Sequence, residues 1–298
     1  MRSQGRAVPE ALLGPLEDCS PRAGRPGALA ARLEAEGHLF LRQGVPPGLA
    51  IAARRGVMQR LAAVGEVTDP DGDTRATGRS RRAELEPDKG AFWQSVSEQP
   101  AMRAVTHGPE LRGLISEVFG EPARPMDFVF LRPGVTGRFT SIHCDKPFFT
   151  RFTERVVTCW IALGEVPMER GPLFVVEGSH RWPDVRAAVE GYDVARDTHR
   201  RNAIADHPAD LAAAHGTRLL TADFRPGDMV VFGMLLLHGA FDNHAADGAV
   251  RLSCDVRWQP QADETDPRYF GPHPTGTTGA GYGELNGAKP LTEDWHQR

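Results

Sequence analysis

Lysine is nearly absent from this chain: only Lys89, Lys146 and Lys289 occur in 298 residues, so arginine carries almost all of the positive charge. There is no basic excess either. Lys+Arg is 35 against Asp+Glu 39, a net charge of −4, which argues against a nucleic-acid partner. The four cysteines, Cys19, Cys144, Cys159 and Cys254, show no CxxC spacing. That excludes a zinc knuckle or a thioredoxin-like redox pair and fits reduced, buried thiols. Long apolar runs are missing: the longest, 229–237, is far short of the roughly 20 residues a membrane helix needs. The opening MRSQGRAVPEALLG has no apolar signal core. The expectation is therefore a cytoplasmic protein with no membrane partner. Internal repeats are absent as well.

What is present is an ordinary globular composition, 40% hydrophobic and 25% charged, in a chain long enough to bury a sizeable core. Residues 1–27, rich in Pro, Gly and Arg, read as a flexible N-terminal arm. Residues 28–298 read as one domain in three parts. The first is a helical cover and lid over 28–126. ALAARLEAEG predicts a helix ending at Gly37, HLFLRQGV a strand, and 48–64 a second helix. The polar stretch 67–90 is long for a loop and reads as a lid or insertion, and 94–119 as helix with breaks at Pro100 and Pro109. The second part, 127–260, alternates short apolar runs with turn residues, the pattern of a β-sandwich or barrel. The third, 261–298, is a Gly-, Pro- and Thr-rich tail expected to wrap that barrel.

The chemistry is carried by Ser141-Ile142-His143-Cys144-Asp145. In a strand, alternate side chains share a face, so His143 and Asp145 point together and Cys144 points away. A second histidine, His238, closes the apolar run MVVFGMLLL. Two histidines and a carboxylate are the donor set of non-haem Fe(II) oxygenases, which leave three metal positions open. Farther on, Arg251, Ser253, Asp255 and Arg257 alternate with apolar residues along one strand. Their shared polar face suits either a ligand-holding barrel interior or a surface ion-pair ladder. Arginine is the natural clamp for a carboxylate, because its planar fork donates two parallel hydrogen bonds. Among the aromatics, Phe128 and Phe130 share a strand face, and Phe148 and Thr150 follow the first ligands. Lys146, Arg155 and the arginines of 75–82 are further candidates for meeting an anionic ligand.

Together, HCD, WIALGEVPMERGPLFVVEGSH, RPGDMVVFGMLLLHGAFDN and RLSCDVRW resemble the phytanoyl-CoA dioxygenase family of Fe(II)/2-oxoglutarate oxygenases, and AEGHLFLRQGVPPG resembles that family's opening. The resemblance spans roughly residues 28–260. It implies a mainly β fold with flanking helices, a double-stranded β-helix (jelly-roll) barrel. It implies Fe(II) held by His143, Asp145 and His238, 2-oxoglutarate as co-substrate with its far carboxylate on Arg251, O₂ as oxidant, and Trp160 as the family's tryptophan near the cofactor. Arg251 lies slightly farther past His238 than is usual in the family, which leaves Arg257 as the alternative clamp. Cys144 and Ala240 stand where relatives often carry Gln and a hydroxyl residue, with Ser253 or Thr140 as substitutes for the lost polar contacts. Asp145 retains the carboxylate that halogenating relatives lack, so halogenation is disfavoured.

The implied activity is oxidation of an unactivated C–H bond of a small molecule, a natural-product intermediate or small carboxylic acid, with release of succinate and CO₂. Hydroxylation is the default; desaturation and ring formation use the same site. An acyl-CoA substrate, a metal-dependent cupin-type enzyme not using 2-oxoglutarate, and a non-catalytic barrel are the competing readings. The sequence does not indicate an oligomeric state.

Overall fold

The computed structural model describes residues 1–298 apart from 73, 150, 201–202, 206 and 294–298. In chain order the first elements are β1 (Arg2–Ser3), β2 (Arg6–Ala7), β3 (Leu13–Pro15), α1 (Ala28–Glu36), β4 (His38–Leu41) and α2 (Pro47–Ala63). Next come α3 (Arg82–Leu85), α4 (Lys89–Ser97), α5 (Pro100–His107), α6 (Pro109–Phe119), β5 (Ala123–Pro125), β6 (Phe130–Gly134) and β7 (Thr140–His143). Then follow β8 (Val157–Ala162), β9 (Leu173–Val176), α7 (Pro183–Val189), α8 (Pro208–Ala214), β10 (Leu219–Thr221), β11 (Met229–Gly233), β12 (His238–Ala240) and β13 (Arg251–Pro260). No helix among the described residues is long and apolar enough to cross a membrane.

Helix boundaries follow the punctuation of the sequence. α1 stops where Gly37 takes a left-handed conformation (φ 76°), which costs glycine little and closes the last turn. Helices α2, α5 and α6 each start on a proline, whose fixed φ and missing N–H suit the first helical turn.

The strands form a jelly roll of two facing sheets flanked by helices. The larger has the order β4-β11-β8-β13-β5, with β6 also paired to β13. The smaller has the order β3-β10-β9-β12-β7. Period-2 alternation sorts the side chains into layers. On β8, Val157, Cys159 and Ile161 face outward into the core shared with α1, α2 and α4–α6, while Trp160 and Ala162 face inward. β13 splits the same way. Leu252, Cys254, Val256 and Trp258 join the helical core, and Arg251, Ser253, Asp255 and Arg257 take the inner face. Outside the smaller sheet, Phe174, Val176 and Leu219 pack against Val185 and Val189 of α7 and Ala209 and Ala212 of α8.

Two expectations need correction. Residues 1–27 are not a loose arm. β3 pairs in parallel with β10, Leu16 enters the inter-sheet core and Cys19 the helical core. Short apolar residues scattered among Pro and Gly carried too little periodicity to announce an edge strand. The stretch 67–90 is not a lid over the barrel mouth. Arg82 is buried and ion-paired at 2.6 Å with buried Glu66, and Ser80 donates to the other Glu66 oxygen. Arg82 also donates to the carbonyls of Gly287 and Lys289, tying this stretch to the C-terminal tail. The signal was hidden because the partner carboxylate lies outside the polar stretch and the acceptors lie about 200 residues away.

Candidate active site

His143 ends β7 and His238 begins β12, and the two are direct partners across the antiparallel ladder. Asp145 lies two residues beyond His143, but not on the strand. Its backbone is αR at the start of a 3₁₀ turn over Lys146–Phe148. The carboxylate thus meets the histidines through a turn rather than through strand alternation. Cys144 faces away, as expected, into the core outside the smaller sheet. Burial pushes its thiol up to about 12, so it is an inert thiol.

The three donor atoms lie within 4.8 Å of one another and can hold a metal ion. Each Nε2 is close to the same Asp145 oxygen, Oδ1, at 3.7 Å for His143 and 3.8 Å for His238. Each Nδ1 lies within hydrogen-bonding reach of a carbonyl two residues back, Ser141 at 2.8 Å and Leu236 at 3.0 Å. A carbonyl can only accept, so Nδ1 carries the proton and Nε2 keeps the lone pair. Burial, together with the neighbouring His238, lowers His143 to about 3, and burial lowers His238 as well. Both imidazoles are therefore neutral, the form that ligates metal. Burial would raise the Asp145 carboxyl, but the Arg257 guanidinium beside it, with the two histidines, holds it well below the usual carboxylate range.

Asp145 Oδ2 accepts from Thr158 Oγ1 at 2.6 Å and from Arg257 Nη2 at 2.8 Å. Thr158 and Arg257 are opposed residues of β8 and β13. This occupies Arg257, the alternative clamp, with the triad carboxylate. Arg251 differs. It is 4% exposed, donates to Ser253 Oγ at 3.3 Å, and has no carboxylate within ion-pair distance among the described residues. Asp255, whose charge Arg251 feels, is bonded by Arg132 of β6. Burial, with Arg132 nearby, pulls Arg251 down to about 10, so it is charged at neutral pH. A buried cation with no ion-pair partner among the described residues, beside a two-histidine, one-carboxylate donor set, fits a metal-chelating dicarboxylate.

These residues open on a cavity of about 630 Å³ lined by Arg132, His143, Asp145, Arg251 and Arg257, with Thr140 and Ser141 on the β7 side. Phe130, Phe139, Phe148, Phe149 and Tyr192 supply an aromatic wall. The tail completes the enclosure with Thr277, Thr278 and Glu284–Gly287. None of the described residues of 67–90 is among the lining. Phe128 is buried behind the wall and Thr150 lies outside the described residues. Lys146 is paired with Glu154, and Arg155 with Glu121 and Asp263.

Of the co-substrate candidates, Thr140 lines the cavity, and Ser253 is buried behind it as the acceptor for Arg251. Trp160 does not line it. Its ring packs 4.7 Å from that of Phe224 in the apolar inter-sheet core, so its place is structural. Thr158, Arg132 and the tail residues escaped the sequence reading. Thr158 was detectable as the single hydroxyl on the inner face of an otherwise apolar strand, VTCWIA. The tail residues carried no pattern.

Comparison with known proteins agrees with this architecture. The phytanoyl-CoA dioxygenase (PhyH) family model matches residues 2–251. A curated relative, phytanoyl-CoA dioxygenase domain-containing protein 1 of Danio rerio, is 31% identical over 85 residues. That match spans 28% of this chain and 29% of the relative. Among solved structures, the epimerase SnoN in complex with Fe³⁺, alpha ketoglutarate and nogalamycin RO is 23% identical. It covers 89% of this chain and 92% of its own, with a TM-score of 0.53. EctD from S. alaskensis with 2-oxoglutarate and 5-hydroxyectoine is 17% identical, covers 89% and 86%, and also has a TM-score of 0.53. At these identities the two structures establish the shared fold.

Proposed function

The chain belongs to the phytanoyl-CoA dioxygenase family of iron- and 2-oxoglutarate-dependent oxygenases, and from that premise we propose that it oxidises an unactivated C–H bond of a small molecule, with hydroxylation as the default outcome. The observation that carries this reading is Arg251: a buried, charged side chain with no ion-pair partner among the described residues, on the same cavity as His143 and Asp145.

In this reading the two Nε2 atoms and Asp145 Oδ1 hold the metal, and the Nδ1–H bonds to Ser141 and Leu236 fix the ring orientations. Iron with 2-oxoglutarate and O₂ supplies the two-electron oxidation, releasing succinate and CO₂. Arg251 receives the far carboxylate of 2-oxoglutarate, with Ser253 fixing the guanidinium from behind. Such an oxidant is unselective, so positioning selects the carbon. Here that task falls to the aromatic wall of Phe130, Phe139, Phe148 and Tyr192 and to the tail segment 284–287. The cations nearest the ligands along the chain, Lys146 and Arg155, are already paired, which supports a compact natural-product intermediate or small carboxylic acid over a CoA ester.

The test is anaerobic titration of apo-protein with Fe(II) and then 2-oxoglutarate, monitoring the visible charge-transfer band of a chelated keto acid. A saturable band that weakens in Arg251→Ala supports the reading. Iron binding without a band points to a cupin-type metal enzyme that does not use 2-oxoglutarate.

A further inference from the structure

The geometry points to Arg257 as a positioning residue that restricts Asp145 to one metal-facing oxygen, with Phe130 and Phe149 holding the arginine in place. This rests on His143, Asp145 and His238 being the metal centre. The two Asp145 oxygens are not equivalent. Oδ1 faces both histidine Nε2 atoms, whereas Oδ2 is occupied by Thr158 at 2.6 Å and Arg257 at 2.8 Å. Turning Oδ2 to the metal as a second ligand breaks both bonds, one of them charge-assisted.

The restriction matters by simple counting. Three protein donors on a six-coordinate metal leave three positions, two for a chelating keto acid and one for O₂. A bidentate Asp145 leaves two and blocks the third partner. The two donors to Oδ2 come from opposed residues of β8 and β13, so the sheet ladder sets their spacing.

The arginine is itself held. Its guanidinium lies 4.2 Å from the Phe130 ring centroid and 4.9 Å from that of Phe149, and the residue is 2% exposed. Among the described residues, Nη2 alone is hydrogen-bonded, and Nε and Nη1 are buried without partners. A guanidinium used through one nitrogen is a poor stabilising device, because its other donors lose water and gain nothing. Its placement makes sense as orientation of one carboxylate oxygen. The rings that hold it also line the cavity, so wall and ligand orientation share parts.

The test uses Co(II) as the probe in the full-length protein, comparing wild type with Arg257→Met, Arg257→Lys and Thr158→Val. We expect Arg257→Met to bind Co(II) about 10–100-fold more weakly, as loss of an outer-shell partner does. Its visible d–d spectrum should change, Lys should restore most of the affinity and band shape, and Thr158→Val should fall between. If Arg257→Met fails to fold, the Lys and Val variants carry the comparison. Unchanged affinity and spectrum across the foldable variants overturns the inference and leaves the metal centre standing. A loss confined to 2-oxoglutarate binding also overturns it, making Arg257 a co-substrate clamp. Absence of Co(II) binding by wild type overturns the metal-centre reading itself.

Discussion

His143 and His238 sit directly opposite each other across the β7–β12 ladder, so two of the three donors are placed by backbone pairing alone. Asp145 is fixed independently, by Thr158 and Arg257. Replacing any one of the three with alanine should therefore abolish metal-dependent turnover without unfolding the barrel. Far-UV circular dichroism should stay native-like while Fe(II) affinity falls by more than the roughly 100-fold attributed to outer-shell partners. Retained turnover in any of the three variants breaks the triad assignment.

Arg251 offers a test with two opposite signs. Arg251→Met should weaken 2-oxoglutarate binding by about 2–5 kcal/mol while leaving metal affinity intact. The same change removes a buried charge that has no ion-pair partner among the described residues, so apo-protein stability should rise. A melting temperature higher by roughly 2–4 °C corresponds to about 1 kcal/mol in a large domain. A drop in apo stability would show that the guanidinium is satisfied within the fold.

A smaller change addresses the same arginine. Gly134 is the cross-strand partner of Arg251, and a Cβ there would stand 3.0 Å from Nε and 3.1 Å from Nη2. Gly134→Ala should shift the guanidinium by a few tenths of an ångström and raise the KM for 2-oxoglutarate, with the Fe(II) titration unchanged. Equal KM values would place the clamp elsewhere.

The histidines make stability pH-dependent in a defined direction. In the fold His143 is lowered to about 3 and His238 is lowered too, while both titrate near 6.5 when exposed. Below 6.5 the unfolded chain binds more protons than the folded one, so acid favours unfolding. Each histidine should contribute about 1.4 kcal/mol of lost stability per pH unit as pH falls from 6.5 toward its folded value. Asp145, whose folded pKa is depressed, adds its own loss only once pH falls below about 3.8. Urea unfolding of metal-free protein between pH 7.5 and 5 should show a shallower slope in His143→Gln/His238→Gln than in wild type. Identical slopes would mean that the imidazoles are charged in the fold.

The Glu66–Arg82 pair should be structural. Both side chains are buried, so Arg82→Met leaves a buried carboxylate unpaired and should cost about 3–5 kcal/mol, whereas Glu66→Gln/Arg82→Met should recover part of that loss. Chemical denaturation gives both numbers. Additive effects of the two substitutions would indicate that the pair is not energetically coupled.

The sequence made the core of the site legible because its signals are local. His143 and Asp145 are two residues apart, His238 ends the longest apolar run, and the polar face of β13 alternates visibly. Helix ends were legible for the same reason, since Gly37, Pro100 and Pro109 act within one turn. What stayed hidden depends on pairing across distance. What separates Arg251 from Arg257 is a long-range contact: Arg257 bonds Asp145, 112 residues away, and Arg251 bonds only Ser253 among the described residues. β3 became a strand only because β10 offers it an edge, and Trp160 took a core place because Phe224 packs against it. Composition cannot report any of these contacts.

The C-terminal segment that closes the cavity also separates two kinds of change. The residues proposed to handle metal and co-substrate lie on the sheets, or in the turn that follows β7, between 132 and 257, whereas one wall of the cavity is Thr277, Thr278 and Glu284–Gly287. That wall is held from below by main-chain carbonyls, of Gly287 and Lys289 on Arg82 and of Leu291 on Arg138. Side chains brace it too: the Glu284 carboxylate accepts from the backbone of Thr277 and Thr278, and Tyr282 and Leu285 pack into the helical core. A substitution in this segment therefore acts on the shape of the cavity through its packing and leaves the donor atoms of His143, Asp145 and His238 on their own supports.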